Sequence, residues 1–146
     1  MREWVEGRTF SGLDWYGRQI AGEFYRECSF HDVDLTEAVV TGSVFESCVF
    51  GNVQLNSSRH AQTAYLNCTF TRCALFDASF EDCKLSGSTF ARTSLRPLRV
   101  TGGDWSFVGL HGADLRGASF ESVRMRESDL AGANFADAVL RNVDLS

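Results

Sequence analysis

The chain is poor in the features that mark membrane, secreted or catalytic proteins. None of its apolar runs approaches the roughly 20 residues that cross a bilayer as a helix, which excludes a transmembrane helix, and no membrane partner is expected. The opening segment, Met1-Arg2-Glu3-Trp4-Val5-Glu6-Gly7, lacks the apolar stretch of a signal peptide, so a cytoplasmic location is expected. Proline occurs once, as Pro97, and lysine once, as Lys84. Against 19 Asp and Glu stand 14 Lys and Arg, a net charge of -5. That balance argues against a polyanion-binding surface, and no direct nucleic-acid partner is expected. Also missing are a Gly-rich phosphate loop, a nucleophile elbow and a spaced metal-ligand pair. No cofactor, metal or catalytic residue is expected, and the protein reads as a non-enzyme.

What the chain does contain is a beat of five. Every fifth residue from Phe10 to Leu145 is apolar or aromatic, with the single exception of His60. Two residues before the large one runs a second restricted series, mostly small from Cys28 on, as in Cys28, Val33, Ala38, Ser43, Cys48 and Val53. Two residues after the large one, glycine is over-represented, as at Gly7, Gly12, Gly17 and Gly22. Neither a helix nor a long strand has this period, so the chain must turn after each short extended piece, using glycine's backbone freedom. A second period of twenty appears in Phe10, Phe30, Phe50, Phe70 and Phe90 and in Cys28, Cys48 and Cys68. Four quintets therefore close one coil. The expectation is an all-β, four-sided parallel β-solenoid of about seven coils, roughly 34 Å long at the spacing of hydrogen-bonded strands. It forms one domain, residues 1–146, with residues 1–9 as an amino-terminal cap acting through Trp4 and Val5 and residues 10–146 as the repeats.

These quintets resemble the pentapeptide-repeat family, whose consensus is Ala-Asp/Asn-Leu-X-X. The closest matches are Ala113-Asp114-Leu115-Arg116-Gly117, Ala118-Ser119-Phe120, Ala133-Asn134-Phe135 and Val143-Asp144-Leu145. The resemblance implies that the solenoid is a right-handed quadrilateral β-helix. It also implies a protein partner: known members bind DNA gyrase and related topoisomerases by imitating duplex DNA, some protecting the enzyme from quinolones or peptide toxins. A rigid scaffold or regulatory module with a non-topoisomerase partner is the alternative.

Candidate positions follow from the phases. All five cysteines fall in the small inward phase, where a thiol packs as a small hydrophobe. His60 is either turned to solvent by a local bulge or held as a hydrogen-bonded core histidine. Segments 56–62 and 96–103 are the expected irregularities, because His60 interrupts the large phase and Leu98 and Gly103 strain or empty the small one. Residues 28–47 carry Asp32, Asp34, Glu37 and Glu46 with no cation, while residues 88–107 carry Arg92, Arg96 and Arg99 around Pro97. Binding is assigned to the four acids and to Phe76, Arg96 and Arg116, an outward aromatic beside arginines one and two coils on. The coil of residues 128–146 is expected to expose Leu130, Phe135, Leu140 and Leu145 and to pair end to end with a second copy as a homodimer.

Overall fold

The computed structural model describes residues 3–146, and among them there is no helix. Short parallel strands stack with a constant offset of twenty residues. The first face of the solenoid is built from Trp4–Glu6, Phe24–Arg26, Val44–Glu46 and Ala64–Leu66. The second runs from Thr9–Ser11 to Thr89–Ala91, with Phe10, Phe30, Phe50, Phe70 and Phe90 in register. On the third face the coils meet through single bridges, Asp14 to Asp34 to Gln54 to Ala74 to Ser94, and again from Asp114 to Asn134. The fourth carries seven strands, from Gln19–Ala21 to Val139–Arg141. With four quintets per revolution, the first and third faces are opposite sides.

Five-residue sides require a sharp corner, and the corner has a backbone signature. At every position of the phase running from Gly7 to Asn142, except Pro97, the backbone adopts a positive φ near +50° to +77°. Glycine takes this conformation without a Cβ clash, and Asn and Asp tolerate it; these three fill most of the corners, while Glu, Gln, Ser, Arg and Phe107 hold the others against that preference. Proline has its φ locked negative. At that one corner the chain turns with a cis Arg96–Pro97 peptide instead.

The large residues stack along the axis. Ring centroids of Phe10, Phe30, Phe50, Phe70 and Phe90 lie 4.7–5.0 Å apart with near-parallel planes, and Tyr25, Phe45 and Tyr65 form a second column at 4.9–5.0 Å. Strand spacing sets ring spacing here. Between the columns the rings meet edge to face, so every ring of the two columns except Phe90 takes both preferred aromatic geometries. Arginine lies over the first rings: the Arg8 guanidinium is 5.2 Å from the Phe10 centroid and that of Arg18 is 4.3 Å from Trp15. Val5 packs against the core, while Trp4 faces outward against Phe24 and under Arg26; Met1 and Arg2 of the expected cap lie outside the described residues.

The small phase does more than fill space. Cys68 Sγ donates to the Phe45 carbonyl at 3.2 Å, Cys73 Sγ to Phe50 at 3.3 Å, Ser88 Oγ to Tyr65 at 2.8 Å, Thr93 Oγ1 to Phe70 at 3.2 Å and Ser128 Oγ to Trp105 at 2.6 Å. Each reaches the carbonyl 23 residues earlier, in the coil below. A small side chain with a donor is therefore interchangeable among Cys, Ser and Thr. All five cysteines are buried and unpaired.

Neither expected irregularity shifts the register. Arg59–Ala61 pairs in sequence with Val39–Thr41 and with Ser79–Glu81, so residues 56–62 form no bulge and His60 stays inside. Leu98–Thr101 likewise pairs with Ala78–Glu81 and with the strand starting at Ser119, confining the departure in 96–103 to its ends. One end is the proline corner. The other is Gly103, at φ +89°, where a Cβ would stand 2.2 Å from the Cys83 carbonyl oxygen.

Candidate interaction surface

The third face and its two corners hold most of the outward residues singled out above. Asp32 sits at the corner entering this face, Asp34 on it, and Glu37 at the corner leaving it, all in one coil. Asp14 lies directly below Asp34 through their bridge. Tyr16, 57% exposed, donates its hydroxyl to Glu37, and that bond raises the tyrosine pKa. The Asn52 amide donates to Asp32 from the next coil. These are hydrogen bonds, and none of the three acids is in an ion pair among the described residues.

Part of the acid has a local duty. Asp14 Oδ1 accepts the Tyr16 N–H at 3.1 Å, Asp34 Oδ1 the Thr36 N–H at 3.0 Å and Asp114 Oδ1 the Arg116 N–H at 3.2 Å. Such Asx turns shape the approach to the corner, so an Asp or Asn just before the large residue is a structural acceptor as well as a surface group. In Asp14 and Asp34 only that one carboxylate oxygen is engaged, and the charge still faces outward.

Glu46 is not brought to the other acids. It belongs to the first face, on the opposite side of the solenoid, and stands 3.9 Å from Arg26, which also pairs with Glu6 at 3.1 Å. The acidic coil thus presents a cluster of three on one side and a compensated carboxylate on the other.

Further along the third face, Phe76, Arg96 and Arg116 do come together. Phe76 is 55% exposed, and its N–H is held by Asn56 Oδ1 at 2.8 Å. With Pro97, Gly117 and Asp137 these three side chains line an open recess of about 570 Å³. The two arginines differ in state. Arg116 grips Asp114 with two bonds of 2.8 Å, which hold that carboxyl down to about 2. Arg96 makes no such ion pair. Around the next corner, Glu37, Arg59, Asp77 and Arg99 border a second recess of about 480 Å³ that the phase analysis did not single out. Its signal was available, because Arg59 and Arg99 lie forty residues apart and hence in one column.

Open, shallow recesses bordered by charges suit contact with a macromolecular surface better than enclosure of a small molecule. Three comparisons bear on the identity of this rod. Residues 73–146 match a family described as the pentapeptide repeat region. No curated protein sequence matches the chain. Among solved structures, a trypsin-treated QnrB1, a plasmid-mediated fluoroquinolone resistance protein, superposes with a TM-score of 0.67 at 18% identity, over 94% of this chain and 82% of that one. HetL, a pentapeptide repeat protein involved in heterocyst differentiation regulation in the cyanobacterium Nostoc, gives 0.51 at 12% identity, over 96% and 88%. At these identities the likeness is one of fold.

Proposed function

Since the chain belongs to the pentapeptide-repeat family, we propose that it is a non-catalytic, cytoplasmic protein-binding module, whose most specific role is to modulate DNA gyrase or a related topoisomerase by imitating duplex DNA. Such binding would protect the enzyme from an antibiotic or a toxin. The observation that carries this reading is the placing of Asp14, Asp32, Asp34 and Glu37 in two successive coils of one face. Two coils occupy roughly 10 Å of axis, a length of duplex that carries about six phosphates. Local charge density is thus of the order of DNA's, although the whole rod, at -5, is far less acidic. The fold shared with QnrB1, a fluoroquinolone resistance protein, makes gyrase the first enzyme to assay.

A second reading, a rigid scaffold or regulatory module for another protein, is favoured by Arg92, Arg96 and Arg99, a basic girdle that an imitator of DNA has no use for. Gyrase supercoiling with and without the protein, at low and high salt, separates the two. The informative variant combines Asp32→Lys, Asp34→Asn and Glu37→Lys; asparagine at 34 keeps the acceptor for the Thr36 N–H. Loss of the effect in this variant, and weakening by salt, is the expected result. An effect on gyrase indifferent to those charges would remove the support for mimicry, and no effect at all would favour the scaffold.

A further inference from the structure

Followed coil by coil, the third face with its two corners has an ordered charge profile. Residues 12–17 carry Asp14 alone, and residues 32–37 carry Asp32, Asp34 and Glu37. Residues 52–57 carry no charge, and in 72–77 Arg72 offsets Asp77. Residues 92–97 carry Arg92 and Arg96, residues 112–117 the mutually paired Asp114 and Arg116, and residues 132–137 Asp137. The net sequence is -1, -3, 0, 0, +2, 0, -1. Among the described residues, Asp32, Asp34, Glu37, Arg92 and Arg96 take no part in any ion pair within 4.0 Å. The acidic and basic coils lie three coils apart, roughly 14 Å, too far to neutralise each other within one chain.

We propose that this face is a self-complementary interface on which a second copy of the chain docks antiparallel. Consider a two-fold axis lying in the plane of the face, across the solenoid, midway between the third and fourth coils. It reverses the direction of the rod and leaves position across the face unchanged. The second coil then meets the fifth coil of the other copy. Asp32 and Arg92 occupy the same corner column, sixty residues apart, so each Asp32 faces Arg92 of the second copy. Arg96 falls between the columns of Asp34 and Glu37. Each contact occurs twice, as an isologous pairing requires. The same operation lays Asn56 over Phe76 and Tyr16 over Arg116, covering the two large exposed aromatics of this face. A parallel arrangement would set like charges against each other.

The shape agrees with a flat contact. Each bridge on this face repeats at twenty residues without a shift in register. About that axis the first six coils overlap and the seventh projects beyond the other copy, so the contact is roughly 29 Å by 13 Å and a dimer would bury about 750 Å² in total, at the low end of transient encounters. The association is therefore weak, concentration-dependent and governed by salt. It draws on acids also used in the gyrase reading, but it is read out by self-association alone, so either can fail without the other.

Sedimentation velocity on the full chain, up to about 1 mM and at about 20 mM and 0.5 M salt, is the test. The expected result is a dimer at low salt that dissociates at high salt. Asp32→Arg and Arg92→Asp should each abolish the dimer singly, since each sets like charges opposite one another. An equimolar mixture of the two variants should form a heterodimer, because both cross-contacts are then attractive. Both variants suit their corners: arginine already occupies this column with positive φ at Arg72 and Arg92, and Asp at Asp32. The combined Leu140→Lys and Leu145→Lys variant should dimerise like the parent. A chain that stays monomeric at low salt, a dimer unaffected by salt, a mixture that stays monomeric, or a dimer lost with the two leucines would each overturn the proposal.

Discussion

His60 Nδ1 lies 2.6 Å from the Tyr65 hydroxyl, and the rest of the imidazole is equally committed. Its Nε2 is 2.8 Å from Ser58 Oγ, and that hydroxyl donates to the Leu55 carbonyl at 2.6 Å. Because the serine proton is spent on the carbonyl, Ser58 Oγ accepts from Nε2–H, and Nδ1 accepts from the tyrosine. The ring is neutral, stacked 4.3 Å from Phe80, and fully satisfied without a charge. Burial lowers its pKa from 6.5 to about 3.

This shift makes stability pH-dependent. The unfolded chain takes up a proton below about pH 6.5 and the folded chain does not until about pH 3, so His60 costs nothing at neutral pH and an increasing amount as the pH falls. The slope approaches about 1.4 kcal/mol per pH unit, or about 2 kcal/mol between pH 6.5 and pH 5. A variant combining His60→Phe and Tyr65→Phe keeps the rings and removes both polar partners. Its urea midpoint should change less between pH 7 and pH 5 than the parent's; equal changes would mean that His60 is not the titrating group.

The thiols should be inert until the protein unfolds. Burial pushes Cys73 and Cys83 up to about 11, and all five sulfurs face the interior. A thiol-specific reagent at pH 8 should label slowly in native conditions and reach five groups in denaturant. One fast-reacting cysteine in the native protein would contradict this packing.

Loss of a central ring should far outweigh loss of a surface charge. Phe70 is stacked at 4.7 Å between Phe50 and Phe90 and is 1% exposed. Phe70→Ala should cost about 3 to 5 kcal/mol, and Arg99→Ala, on an exposed strand position, less than about 0.5 kcal/mol. Denaturation midpoints give the comparison.

Phe107 is the bulkiest side chain at any left-handed corner, with φ at +61° and 59% of its surface exposed. Phe107→Gly should therefore stabilise the fold by about 1 kcal/mol, while Gly112→Ala, where a Cβ meets nothing within 4 Å but φ is +66°, should destabilise it by a similar amount through backbone strain alone. If both changes leave the urea midpoint where it was, the corners carry no such strain.

Period, inward phases and coil number were legible in the chain because each is a repeated choice between apolar and polar, small and large. The neighbours of each candidate were less so. Grouping acids by coil put Glu46 with Asp32, whereas grouping by column puts it across the rod beside Arg26. Asp14 went unnoticed for the same reason, although it stands twenty residues before Asp34. That the His60 ring would find both partners inside could not be read from spacing, since it depends on Ser58 and Tyr65 side chains converging from two sides of one coil. The Asp114–Arg116 grip, which takes one arginine out of the pair beside Phe76, is a matter of rotamer rather than of period.

Because a side is five residues and a revolution twenty, insertions act on the exterior as rotations. One extra quintet at a corner between Glu37 and Arg92 would leave large and small positions alternating as before and the core filled, yet turn everything downstream by a quarter revolution. Arg92 and Arg96 would leave the side that carries Asp32 and Asp34 altogether. Four extra quintets would lengthen the rod and restore the alignment. The core is thus indifferent to length changes in multiples of five that completely rewrite which outer groups are neighbours, and a lineage of such chains can exchange partners by indels while conserving almost every buried residue.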